Sequence, residues 1–493
     1  MTTPAAALPL ENAVFSAALL ARRLPWSDAP ARALGLDSLT CEGAARGVLA
    51  HLRRSRSGRP VRLRTPLGSF LVPLKPADTA GLLAAGAAAD ALAPAVRLDE
   101  AGRRHGLHPH HPLPFPAPPE DVLPEAALAG PLAGELRRLA SARRDDQALT
   151  WEAWRPGLLR AARRVVAGAA AAEDTLLGEM LRRAAEAAGS HAYESRAAAV
   201  HRRLAPYLAD PDPDSLAAVL ARPAAGPAVP AARAEHGLPA GAGRPEEALA
   251  HALAVVSEAA ATTALQALAL TAAGVPAAAG GPAAAVALAL DRFPPVGAAV
   301  HPVRSRFSWE GLAVDAGTEI LAAPGWLRSA TDHAGGAGAE PGPLPGGGPS
   351  PLCGSPTGCA AAAVAVRVAE AVVRFFTEDA EGARPALLAP ALSPDRMPLT
   401  LDPRTLLLAF PAAGAPAAAP PARAGTPASY AAPARAAAGR LDRHARSLAA
   451  CAADAGWDGS ETGERFRMRL LEHADRCTRA ASDIREAARR LAD

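Results

Sequence analysis

The segment from 246 to 273, EEALAHALAVVSEAAATTALQALALTAA, constrains this chain more than any other. Its apolar residues run nearly all the way round a helix, so no single face can be left to solvent. Such a helix has to pass through the middle of a domain, with the rest of the chain wrapped around it. Its polar interruptions, Glu258, Thr262 and Thr263, fall mid-helix, where each needs a reason to be there.

The other 465 or so of the 493 residues have to supply that wrapping, and composition says with what. Half of the chain is hydrophobic but only 4% is aromatic, so the core is built from Ala, Leu and Val, which favours helices over strands. The length allows one large domain with an appendage, or two or three domains. The formal charge of +3, from 52 basic and 49 acidic residues, gives no electrostatic case for nucleic acid or a membrane surface as partner. Arg almost excludes Lys, Lys75 being the one lysine, a bias of high-GC coding more than of function. Cys41, Cys353, Cys359, Cys451 and Cys477 form no Cys-x-x-Cys pair and are odd in number, which argues for a reducing cytoplasm over a disulfide framework. The start, MTTPAAALPLENAVF, lacks the basic and apolar regions of a signal peptide, and no run of about 18 strongly apolar residues predicts a membrane span.

Along the chain, VRLRTPLGSFLVPL at 61–74 alternates about a Pro-Leu-Gly turn and predicts a β-hairpin, followed by a helix over ADTAGLLAAGAAADAL. The Pro-dense stretch at 105–124 excludes regular helix. Residues 147–221 carry helical periodicity, and 222–245 read as a Pro/Gly/Ala loop. Two short strands are predicted in FSWEGLAVDAGTEILAAPGW and a final hairpin in MPLTLDPRTLLLAF, 397–410. Arg160, Arg163 and Arg164 read as a solvated helix face.

The stretch most suggestive of chemistry is PLCGSPTGCAAAAVAVRVAEAVVRFF, 351–376. A Gly/Pro/Ser-rich loop ends in Cys359 and a long apolar helix starts directly behind it. The thiol could be a ligand, a nucleophile or core filling; a helix N-terminus favours the thiolate over the thiol. No His or Asn stands in a recognisable nucleophile arrangement with it, and Cys353, six residues earlier, reads as incidental. The cluster His105, His108, His110 and His111 lies in Pro-rich loop, without the rigid spacing of a metal site.

The order of these segments over about 45–410 resembles the cytochrome P450 family of haem-thiolate monooxygenases. In that family the thiolate ligand ends a Gly-containing loop before a long helix, which makes Cys359 the ligand to the iron of haem b. The LDRFPPVGAAVHPV segment and FSWEGLAVDAGTEILAAP resemble the family's passage from its Arg-x-x-Pro turn through an AGT strand, and MPLTLDPRTLLLAF resembles its last hairpin. WRPGLLRAARRVVAG is similar to a bacterial branch with an Arg-Arg-Val-Val-x-Gly segment. SEAAATTALQALAL resembles the helix crossing the haem face, where a Thr assists proton delivery. That implies catalytic roles for Thr263, four residues after Ala259, and its neighbour Thr262; either hydroxyl can instead bond back to the preceding turn. Glu258 is either a cleft carboxylate or the partner of an arginine.

The departures are as specific. LALD occupies 288–291, where the family has Glu-x-x-Arg, and Leu352-Cys353-Gly354-Ser355 stands for Phe-x-x-Gly. His301 occupies the place of a propionate-binding arginine, with Arg304 three residues on. Two buried carboxylates need cationic partners, and this chain offers few.

The last residues differ in kind. Leu441, Ala445, Leu448 and Ala452, then Leu470, Ala474, Cys477, Ala481, Ile484, Ala488 and Leu491, form heptad-like stripes on charged segments. They predict a two-helix hairpin that pairs with itself or a partner. It is also similar to the Trp-x-Gly hairpins of type VII secretion substrates, with Trp457 and Gly459 in the turn and Phe466 after it, though without their Tyr-containing export signal.

The expected architecture is therefore mainly α with small β-sheets: a cytochrome P450-like domain over 1–410, a Pro/Ala-rich linker over 411–433 and a helical hairpin over 434–493. The expected function is a divergent cytoplasmic haem-thiolate monooxygenase acting on a small apolar substrate with an external electron-transfer partner. The alternatives are a haem-free scaffold of that fold, self-associating or binding a helical partner through its tail, and a type VII secretion-associated protein.

Overall fold

The computed structural model describes residues 4–24, 27–28, 31, 36–98, 103–108, 128–141, 150–188, 190–221, 244–327, 350–356, 359–379, 385–390, 392, 397–410, 427–453 and 460–492. The expected turn at Trp457 and Gly459, His110 and His111, and residues 411–426 of the expected linker lie outside them.

The 246–273 segment does become one continuous helix, Pro245–Ala272, with a π-helical turn at Val255–Ala260. It is the one described helix long and apolar enough to cross a membrane, and 78% of its most apolar window is buried inside the fold. Leu249, Val255, Ala264, Leu268 and Leu270 are fully covered. At about 25 cal/mol per Å² of apolar surface removed from water, this burial is the main stabilising term of the body. Helix Ala360–Arg374 packs along it, burying Ala361, Val364, Ala365, Val368 and Ala369. The many alanines matter here, because two helices with Ala at the contact approach closely. Trp154, Phe376 and Phe410 close one side of this core, Trp154 and Phe376 edge to face and the other pairs tilted, with ring centroids 4.9 to 5.8 Å apart. The few aromatics are thus spent where three elements meet.

A seven-stranded mixed sheet flanks the helical body in the order β1 (Ala5–Ala6), β2 (Val61–Thr65), β3 (Gly68–Val72), β9 (Glu319–Ala322), β6 (Ala299–Pro302), β4 (Val96–Leu98) and β5 (Arg104–Gly106). β2 and β3 form the expected hairpin, with Thr65 opposite Gly68 across Pro66-Leu67. Gly68 holds φ +147°, and a Cβ there would press on the Arg104 guanidinium at 2.7 Å. FSWEGLAVDAGTEILAAPGW forms three strands where two are expected: β9 of the sheet and, before it, the paired β7 (Phe307–Trp309) and β8 (Leu312–Val314). Glu310 and Gly311 turn between them at φ 44° and 77°, the left-handed pair that suits the twist of a two-residue hairpin. The sheet's two faces carry separate cores, one around Phe15, Leu49 and Trp326, the other around Leu82, Leu83 and Ile320.

Three local expectations change. MPLTLDPRTLLLAF is not a hairpin in itself: β11 (Leu407–Ala409) pairs with β10 (Ala386–Ala389), further back. The Asp402 side chain accepts from the Arg404 amide and caps a 3-10 turn, Pro403–Thr405, in place of the hairpin bend. Arg163 is no solvated side chain. It is buried, and its guanidinium donates to the carbonyls of Ala171 and Ala172 at 2.8 to 3.2 Å, closing the C-terminal end of a short helix. Arg160 is bound to Glu135 at 2.6 Å and Glu173 at 2.5 Å. Finally, helix starts at Pro427, inside the segment expected as linker. Proline suits the first helical position and the alanines after it are the best helix formers.

The last two helices, Pro427–Ala453 and Glu461–Ala492, pack on each other. Ala438, Ala445 and Ala452 on the first and Ala474, Ala481 and Ala488 on the second are buried at seven-residue intervals. Asp442 pairs with Arg485 across them.

Candidate functional site

Cys359 is the N-cap of helix Ala360–Arg374, with extended backbone (φ −130°, ψ 118°), and its carbonyl accepts from the Ala362 amide at 3.0 Å. The loop before it curls tightly. The Gly354 amide donates to the Ser350 carbonyl at 2.8 Å and the Ser350 amide to the Ser355 carbonyl at 2.9 Å. Gly354 takes φ +66°, where a side chain would lie 2.6 Å from Leu107 Cδ1. Only glycine permits that approach. The turn it makes carries Cys353, buried, back toward Cys359 and brings both beside residues 107–108.

From the other side comes His251, on the first turns of the central helix and 2% exposed. Its Nε2 lies 3.3 Å from Cys359 Sγ. The ligand-forming atoms of His251, Cys353 and Cys359 all fall within 4.8 Å of one another. The Cys359 thiol, then the imidazole of His251, hold the Cys353 thiol well below its ordinary value against the opposing effect of burial. The neighbouring Cys353 sulfur and burial push Cys359 well up, against the pull of the Ala361 and Ala362 amides at its helix start. His108 stacks edge-on to His251 with ring centroids 5.1 Å apart. One of its ring nitrogens bonds the backbone of Cys353, while its Nε2 is buried with no hydrogen-bond partner. Burial, then His251, pushes its pKa well down, so the ring is neutral.

The other residues singled out in the sequence do not converge here. Thr263 is buried on the central helix with an unpartnered hydroxyl, twelve residues beyond His251, roughly 16 to 18 Å along the helix. Thr262 beside it is half-buried. Glu258 is exposed and paired with Arg155 at 2.5 Å, which decides between the two readings of it in favour of an arginine partner. His301 is fully buried with neither ring nitrogen hydrogen-bonded, and burial pushes its pKa down to about 4. The register sets it opposite Ile320, on the sheet face whose core is separate from the one around Cys359. Arg304 is bound to Asp90 through its backbone carbonyl at 2.9 Å and its carboxylate. His105, in β5, faces a cavity of about 580 Å³ together with Arg22, Arg97 and Trp326, none of which belongs to the Cys359 site.

These positions test the haem that the sequence resemblance implies. A porphyrin on Cys359 needs an iron on the sulfur and about 3.5 Å of van der Waals clearance on each face of the ring. Here His251 touches the sulfur directly, the Cys353 sulfur lies within 4.8 Å of it, and the central helix packs directly on the Cys359 helix. The groups expected to hold the propionates, His301 and Arg304, stand elsewhere. The residues do not fit a haem at Cys359. What sequence reasoning missed is His251 and Cys353. His251 had one signal, an ionisable ring inside an otherwise apolar stretch; Cys353 had only its spacing to Cys359.

No family model matches this sequence, and no curated protein matches it. Among solved structures, the open cytochrome P450 EryK from S. erythraea is 14% identical over 76% of this chain and 98% of its own, with a TM-score of 0.44. CYP154C4 from Streptomyces sp. W2061 is 15% identical over 73% and 94%, with a TM-score of 0.46. Cytochrome P450-153 from Novosphingobium aromaticivorans is 11% identical over 74% and 95%, with a TM-score of 0.45. Likeness at these values assigns neither family nor activity to this chain.

Proposed function

We propose that this chain is a haem-free protein of cytochrome P450-like organisation, a non-enzymatic scaffold whose body is locked by the His251–Cys353–Cys359 cluster. Its tail helices dock a partner. The observation that carries the reading is the 3.3 Å contact between His251 Nε2 and Cys359 Sγ, which occupies the space a haem would need. The sequence order around Cys359 supports the family resemblance, and the missing Glu-x-x-Arg pair supports the loss of the cofactor. The free thiols suit a reducing, cytoplasmic setting. In the tail, Ala474 and Ala481 are already buried, so a second copy or another helical protein would meet the exposed Phe466, Met468 and Leu471.

A second reading, a haem-thiolate monooxygenase of small apolar substrates, draws on the unpartnered Thr263 hydroxyl and on Cys359 at a helix start. One experiment separates them. The full-length protein is expressed with haem precursor, reduced and exposed to carbon monoxide. The scaffold reading expects a folded, helical, colourless protein. A red-shifted thiolate-type band that vanishes in Cys359→Ala and persists in Cys353→Ala overturns it.

A further inference from the structure

We propose that His251, Cys353 and Cys359 form a centre for a thiophilic divalent cation of the zinc type, with the His108 ring packed against His251. The inference rests on the haem-free reading, because the same sulfur cannot serve both groups.

The geometry is that of a site nearly closed. Zinc–sulfur bonds of about 2.3 Å and zinc–nitrogen bonds of about 2.0 Å at tetrahedral angles set sulfurs about 3.7 Å and sulfur and nitrogen about 3.5 Å apart. His251 Nε2 and Cys359 Sγ are 3.3 Å apart, and no pair among the three ligand atoms exceeds 4.8 Å. Shifts of a few tenths of an ångström to about one would admit the ion. Two thiolates and an imidazole are also the donor set that selects zinc over calcium, magnesium or manganese.

The surroundings add a second observation. A ligating imidazole typically bonds through its other ring nitrogen to a backbone carbonyl or carboxylate, which fixes its orientation. His108 is held that way, bonded to the backbone of Cys353, and leaves its buried Nε2 without a partner beside the His251 ring. The ligands come from two distant parts of the chain, the central helix and the loop that ends in Cys359, and His108, just past β5, packs on one of them. A bound cation would tie them together in the way a structural zinc ties a small domain. Without it, the buried Cys353 thiol and His251 imidazole lie against each other and against Cys359 in a region of low dielectric, where polar groups are costly to bury. Binding converts two thiols to thiolates and releases up to two protons to solvent per ion.

The test uses the full-length chain, stripped with chelator under reducing conditions and titrated with cobalt(II). The expected result is one equivalent bound, with visible bands of a tetrahedral ion and a thiolate-to-cobalt charge-transfer band in the near ultraviolet, all displaced by zinc. The charge-transfer intensity should fall to about half in Cys353→Ser and disappear in the Cys353→Ser, Cys359→Ser double variant. His108→Ala should weaken binding by about 10- to 100-fold. Far-ultraviolet circular dichroism checks that each variant is folded, and the wild-type spectrum decides the matter even if a variant is not. No charge-transfer band in the reduced wild type overturns the proposal, as does a band that Cys353→Ser leaves unchanged. So does a disulfide between Cys353 and Cys359 that persists until denaturation. A protein that binds neither haem nor cobalt sinks this inference and leaves the scaffold reading standing. A carbon-monoxide band from haem sinks the scaffold reading itself.

Discussion

The central helix and the two tail helices are both built on alanine, yet they solve burial in opposite ways. Pro245–Ala272 is apolar nearly all round and mostly covered, so its large residues (Leu249, Leu265, Leu268, Leu270) sit in a core shared with many elements. The tail helices bury alanine only once every seven residues, at Ala438, Ala445, Ala452, Ala474, Ala481 and Ala488. Their outer faces are laced with ion pairs such as Arg465–Glu461 at 2.6 Å, Arg467–Glu464 at 2.7 Å and Arg479–Asp475 at 2.8 Å. Such exposed pairs contribute little each, because solvent screens them. The width of the apolar face decides the outcome: a full cylinder makes a core, a narrow seam makes a pair. Only the body can therefore hold buried polar chemistry, because only there is water excluded.

If that contrast holds, cutting into the two regions should cost different amounts and spread differently. The largest effect is expected for Leu268→Ala, which empties a fully buried site in the shared core. It should destabilise the whole body by about 2–5 kcal/mol, read as a shift of the main unfolding transition in denaturant. A change under about 1 kcal/mol would mean that the helix is less enclosed than its burial implies.

The tail should respond locally. Ala481 is fully buried in the seam, and Ala481→Leu overpacks it, costing about 1–3 kcal/mol. The expected result is a separate early helix-loss transition, with the main one unmoved. Because Pro427–Ala453 also touches strand Ala386–Ala389, a main transition that moves with it would show that tail and body melt as one unit.

Acid should separate the regions more finely. His301 is fully buried, with its pKa pushed down to about 4 by burial, against about 6.5 in an unfolded chain. Between those values the unfolded state binds the extra proton, so stability rises with pH there and is lost as pH falls. By pH 5.5 the body should be weaker than at pH 7.5 by roughly 1 kcal/mol from this group. The loss should be absent in His301→Leu and absent from the tail transition. An unchanged pH profile in that variant would assign the acid sensitivity to other groups.

Much of this was legible in the chain itself, for reasons that particular residues make plain. The central helix, the hairpin around Pro66-Leu67, strands in FSWEGLAVDAGTEILAAPGW and the helix behind Cys359 all follow from local periodicity and turn chemistry. So does the alanine stripe at 445, 452, 474, 481 and 488. What was illegible depends on contacts distant in sequence. His251 meets Cys359 across 108 positions, and nothing in ALAHALAVV announces it. Arg163 looked like one of three surface arginines until the helix at Ala169–Ala172 placed carbonyls over it. The last strand found its partner at Ala386–Ala389 because strand pairing answers to topology as much as to pattern.

The π turn at Val255–Ala260 has a consequence best stated as phase. An ordinary α-helix advances about 100° per residue, so twelve residues would leave His251 and Thr263 about 120° apart around the axis. A π turn absorbs roughly one extra residue, and the remaining eleven amount to about three whole turns. His251 and Thr263, two of the buried polar side chains of the helix, are thereby brought onto nearly one meridian. One residue removed between them would swing Thr263 about a quarter turn away from the line on which His251 stands.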